Sequence, residues 1–164
     1  MPTEDEVRVM RLLGSIEIDN NAGKVIEGWG NDAVTVLCEA ALGTYPGVRL
    51  KLRTNAVALL GNMSHPQAKE TIHLLVSDPN PDVSIRAMRA AGMQRNTMVV
   101  GDLGRLLSKS DLSVVVAAEV VKALTEIGTP EARSALDTYA AVSSDEYAHR
   151  RSPLVLKYLE KAGY

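Results

Sequence analysis

Apolar positions recur along this chain with a helical period, and the same pattern is written three times. The segment from Leu52 to Val76 lies without a gap on Val83–Leu107 when shifted by 31, and on Val116–Ala140 when shifted by 64. In its first half Leu52, Ala56, Leu59 and Leu60 fall on Val83, Ala87, Ala90 and Ala91, then on Val116, Val120, Ala123 and Leu124. In its second half Ala68, Ile72, Leu75 and Val76 fall on Val99, Leu103, Leu106 and Leu107, then on Ala132, Leu136, Tyr139 and Ala140. Both sets follow i, i+4, i+7, i+8, one stripe along an α-helix. Each unit is therefore expected to be a hairpin of two amphipathic helices.

The unit boundaries carry matching turn chemistry. Asn80-Pro81 and Thr129-Pro130 each set a capping side chain before a proline at the first helical position, where the missing N–H costs nothing. His65-Pro66 stands in the register of Thr129-Pro130. The stretch "SDPNPD" at 77–82 cannot continue a helix, because two prolines remove donors and clash with the turn before them. It reads as the joint between two units.

A lone hairpin buries little, so stacking of neighbouring units supplies the core. The chain thus reads as one domain: an N-terminal cap with a degraded repeat over 1–47, repeats over 48–80, 81–111 and 112–142, and a C-terminal cap over 143–164. In the cap "SPLVLKYLEKAGY", Ser152 precedes Pro153 as a helix start. Helix 32–43 resembles the second helix of an earlier unit, with residues 4–16 (Val7, Met10, Leu13) as its partner and 17–31 irregular. The fold class expected is all-α, an α-α superhelix of about four hairpins with atypical ends.

Units of 31–33 residues carrying "D-x-x-V", "A-x-x-x-x-G" and a Pro-containing turn resemble HEAT repeats, most nearly the short variety also found in phycobilin lyases. The resemblance covers roughly 48–140 well and the ends weakly. Gly61 and Gly92 keep the glycine where Thr125 replaces it, and Gln94 stands where Met63 and Ile127 pack. The resemblance implies an α-solenoid that holds protein partners, with second helices lining a concave face.

Composition supports a folded, helical chain. Of 164 residues 46% are hydrophobic and 23% charged, with no Phe and one Trp, so Ala, Val, Leu and Met must fill the interior. The formal net charge of −2 gives no general attraction to nucleic acid or anionic membrane. It is unevenly spread: residues 48–95 hold seven cations against three acids, a balance of +4, leaving −6 elsewhere. A single cysteine, Cys38, permits no intrachain disulfide and suits a reducing compartment. "MPTEDEVRVM" lacks the basic start and apolar run of a signal peptide, and no stretch nears the roughly 18 apolar residues of a membrane helix, so a cytoplasmic location is expected.

No catalytic constellation is visible. His65, His73 and His149 stand outside any metal-binding spacing, and no G-x-S-x-G, P-loop or dinucleotide fingerprint occurs. No cofactor or metal is expected, and an enzyme, such as a chromophore lyase, is the least favoured reading. A nucleic-acid-binding or DNA-repair role is the first alternative. Arg49, Lys51, Arg53, Arg86 and Arg89 would serve it, but they fall on first helices, which would not line the concave side.

By elimination, the second helices should expose Lys69, Glu70, His73 and Leu74, then Val100, Gly101, Gly104 and Arg105, then Arg133, Ser134, Asp137 and Thr138. Two glycines in one helix cost about 1 kcal/mol each relative to Ala. With an exposed Val100 they would form a smooth notch for a partner's bulky side chain, flanked by Lys69, Glu70, His73, Arg105, Arg133 and Asp137. The expected function is a non-catalytic scaffold or adaptor that binds another protein there.

Overall fold

The computed structural model describes residues 1–15 and 21–164. The end of the helix expected over 4–16 and residues 17–20 of the irregular stretch lie outside the described residues. Everything regular among the described residues is helical: α1 (Glu4–Leu13), α2 (Ala22–Gly28), α3 (Asn31–Leu42), α4 (Leu50–Leu60), α5 (Pro66–Leu75), α6 (Pro81–Gln94), α7 (Val100–Leu107), α8 (Val114–Ile127), α9 (Pro130–Ala141) and α10 (Pro153–Lys161). Short 3-10 turns precede α7 (Thr97–Val99) and α10 (Ala148–Arg151). The expected all-α architecture is observed, with α4 to α9 lying where the repeated pattern placed amphipathic helices. The chain divides into two compact units, Met1–Ala90 and Ala91–Tyr164, with the division inside α6.

In the first unit α3 is the central element, packed by α1, α2, α4 and α5. Its buried residues are small: Ala33, Val34, Val36, Leu37, Cys38, Ala40 and Ala41. Residues 22–28, expected to be irregular, form a helix. Gly23 makes this packing possible, since a Cβ there would stand 2.5 Å from the Leu59 carbonyl oxygen. The pattern reading missed α2 because two glycines in seven residues hide a helical signal. On α1 the buried residues are Val9 and Leu13, while Val7 is exposed. The helix starts at a capping box of Thr3 and Glu6, and Arg8 lies 4.4 Å from the Trp29 ring centroid.

The column expected on α5 is buried in full: Ala68, Ile72, Leu75 and Val76. The expected caps also form. His65 accepts from the Gln67 N–H at 3.1 Å, and Asn80 accepts from the Asp82 N–H at 2.9 Å. The "SDPNPD" joint is more than a break. Asp78 accepts from the Asn80 N–H at 2.9 Å and pairs with Arg53 at 2.9 Å, while Arg53 donates to the Ala41 carbonyl at 3.1 Å. One guanidinium thus ties α4 to the end of α3 and to the joint.

In the second unit α8 packs on α7, α9 and α10. Its face of Ala117, Ala118, Val120, Val121, Ala123, Leu124 and Ile127 is buried. Helix α8 ends at Gly128, whose φ of 66° is the left-handed conformation glycine adopts without strain. Thr129 and Ser152 cap α9 and α10 as their Ser/Thr-Pro sequences require, at 3.2 Å each.

The α7 register differs from expectation. Val99, Val100, Leu103 and Leu107 are buried, whereas Leu106 is half-buried. The cause is the 3-10 turn Thr97–Val99, opened by Asn96, whose side chain accepts from the Met98 N–H at 3.1 Å. Three residues per turn instead of 3.6 advance the stripe and rotate Val100 inward.

Candidate functional site

In the second unit α7, α9 and the segment following α9 enclose a groove. A pocket of about 80 Å³ there is lined by Gly104, Leu107, Ser108, Ala135, Thr138, Tyr139, Val142 and Tyr147. Gly104 and Ala135 form its small-residue floor, and a Cβ on Gly104 would meet the Ala135 Cβ at 3.6 Å, an ordinary contact. Tyr147 and Tyr139 supply an aromatic side.

A buried network holds these walls. His149, 1% exposed, lies between the rings of Tyr139 and Tyr147, with centroids at 5.7 and 5.2 Å. Its Nε2 donates to the Lys109 carbonyl at 2.9 Å, since a carbonyl can only accept. The Tyr139 hydroxyl donates to Nδ1 at 2.7 Å. Arg150 donates to the Ala140 carbonyl at 3.0 Å, closing the C-terminal end of α9. Burial pushes the Tyr139 phenol up to about 12, with the Arg150 charge opposing. His149, read from sequence as outside any site, is therefore a keystone of the segment that places Tyr147.

The expected site residues fare differently. Val100 is buried, so the exposed valine of the expected notch is corrected: the rotated start of α7 takes it into the core. Gly101 is exposed, and Gly104 is half-buried beside Ala135 rather than open. Arg105 is exposed and pairs with Asp102. Arg133 and Asp137 are brought together, but around the chain's own Tyr164. The guanidinium lies 4.5 Å from the Tyr164 ring centroid and donates to the Ala162 carbonyl at 2.5 Å, while the Tyr164 hydroxyl bonds Asp137. In the first unit Glu70 and Leu74 are exposed on α5, whereas Lys69 and His73 are half-buried and engaged in interactions.

Sequence reasoning missed Ala135, Tyr139, Val142, Tyr147 and His149. A signal existed in the aromatic and histidine residues of "EYAHR", outside the repeat register. Cys38 is buried in α3, and burial raises its thiol above the ordinary range, with its hydrogen bond to Thr71 opposing. Among the described residues no group of three His, Cys, Asp or Glu side chains is placed to hold a metal ion. None of their helices is long and apolar enough to cross a membrane.

Paired amphipathic helices stacked through small residues define an α-solenoid built of helical hairpins. The family model for HEAT repeats matches residues 69–157, more than half of the chain. The chain belongs to the HEAT-repeat family. The match is to HEAT repeats at large and does not single out the short variety found in phycobilin lyases. A comparison with curated proteins finds no match.

Proposed function

We propose that the chain is a non-catalytic scaffold that binds another protein through its exposed second-helix faces, with the groove of Gly104, Ala135 and Tyr147 as the principal contact of the second unit. HEAT repeats commonly serve as protein-interaction scaffolds. The observation that carries the choice of groove is the glycine. The surroundings of Gly104 accept a Cβ, so packing does not demand a residue that weakens α7 by about 1 kcal/mol. A floor of glycine and alanine leaves room for a side chain from outside. A cytoplasmic location suits the lone, buried Cys38.

The nucleic-acid alternative is weakened by what its cations do. Arg53 is committed to Asp78 and the Ala41 carbonyl, and Arg89 is engaged as well. The test is capture from source lysate with wild type and the Gly101→Arg/Gly104→Arg variant, after circular dichroism has shown equal helicity. A protein retained by wild type and lost by the variant supports the groove. Equal retention by both places the site elsewhere. Nucleic acid in the eluate, with retention falling steeply with salt, favours the alternative.

A further inference from the structure

The third joint between first helices departs from the earlier two. At the first, a Cβ on Gly61 would stand 3.0 Å from Ala90 Cα; at the second, a Cβ on Gly92 would stand 3.5 Å from Ala123 Cα. The equivalent residue of the third repeat is Thr125, whose hydroxyl donates to the Val121 carbonyl at 2.7 Å. Beside it a pocket of about 200 Å³ opens between α8 and α10, lined by Lys122, Thr125, Glu126, Tyr158 and Lys161. A side chain where the repeat has glycine leaves an opening rather than a closed joint.

The charges at this opening are unbalanced. Among the described residues neither Lys122 nor Lys161 is in an ion pair. The Lys161 ammonium stands 5.4 Å from the Tyr158 ring centroid. The pocket's one acid, Glu126, lays its carboxylate against Gly92, in the space a Cβ would need. Two ammonium groups outside any ion pair, one of them over the Tyr158 ring, therefore flank an aromatic wall. The pocket also lies along the C-terminal turns of α8 and α10, whose carbonyl ends carry partial negative charge and oppose an anion more strongly the higher its charge, so a carboxylate meets less opposition there than a doubly charged phosphate. A singly charged carboxylate on an apolar stem suits the two ammonium groups and the Tyr158 wall.

We propose that this pocket docks an acidic segment of a partner protein, with a Glu or Asp carboxylate between Lys122 and Lys161 and its stem against Tyr158. The site is separate from the groove of α7 and α9 and does not depend on it. The test is an amide NMR titration of the full chain with a short polyglutamate peptide at low salt. Saturable shifts confined to 122–126 and 158–161, with affinity lowered about tenfold or more in Lys122→Gln/Lys161→Gln, are expected. Both lysines are exposed, so this variant should keep the wild-type melting temperature; Lys161→Glu provides a second, single-site check. Absence of shifts, or shifts that persist unchanged in both variants, overturns the proposal. Saturation by inorganic phosphate but not by the peptide overturns the protein partner.

Discussion

Replacing Gly61 and Gly104 separately by alanine should move stability in opposite directions. Gly61 has φ −61° and ψ −22°, a conformation any residue adopts, so backbone strain is not at issue. Its alanine Cβ would meet Ala90 Cα and Cβ at 3.0 Å and the Ala58 carbonyl oxygen at 3.2 Å. None of these is the end of a flexible chain, so α4 and α6 must separate by a few tenths of an ångström. Overpacking of this kind costs about 1–3 kcal/mol. At Gly104 the new Cβ meets only Ala135 Cβ at 3.6 Å, leaving the gain in helix propensity, about 0.5–1 kcal/mol. For a chain of this size each kcal/mol moves the melting temperature by roughly 2–4 °C. Thermal and urea unfolding followed at 222 nm should rank Gly104→Ala above wild type and Gly61→Ala below it. Equal or reversed order would refute the reading that Gly61 is required by packing and Gly104 is not.

Other consequences follow from the same contacts. Absorbance at alkaline pH should show a tyrosine step near pH 12, and Tyr139→Phe should remove it. Burial favours the neutral phenol, so its contribution to stability is fully present below pH 10.0 and is lost as pH rises through about 12. Arg53→Met should cost about 2 kcal/mol in urea unfolding, because Asp78 and the Ala41 carbonyl both lose a charged donor in a half-buried setting. Cys38 should resist thiol reagents in the native protein and react at the rate of unfolding, read by mass spectrometry after pulse labelling. Tyr164→Ala should release the Arg133 and Asp137 side chains and raise hydrogen exchange in the last turn of α10.

What sequence settled here is whatever depends on neighbours within one helix or one turn. The helices from α4 to α9, the caps at His65, Asn80, Thr129 and Ser152, and the break at 77–82 were legible because a helical stripe and a capping side chain are local arrangements. The site was not local. Val100 belonged to an exposed column by straight α-helical counting, and a 3-10 turn set by Asn96 moved it into the core. Gly104 became the floor of a groove only because Ala135 of another helix faces it, and the wall came from Tyr147, placed by His149 reaching the Lys109 carbonyl forty positions away. Arg133 and Asp137 read as free surface until Tyr164 packed on them. Periodicity records which side of a helix faces inward. Which side chains from separate helices meet, and what opening they leave, is decided only when those helices pack.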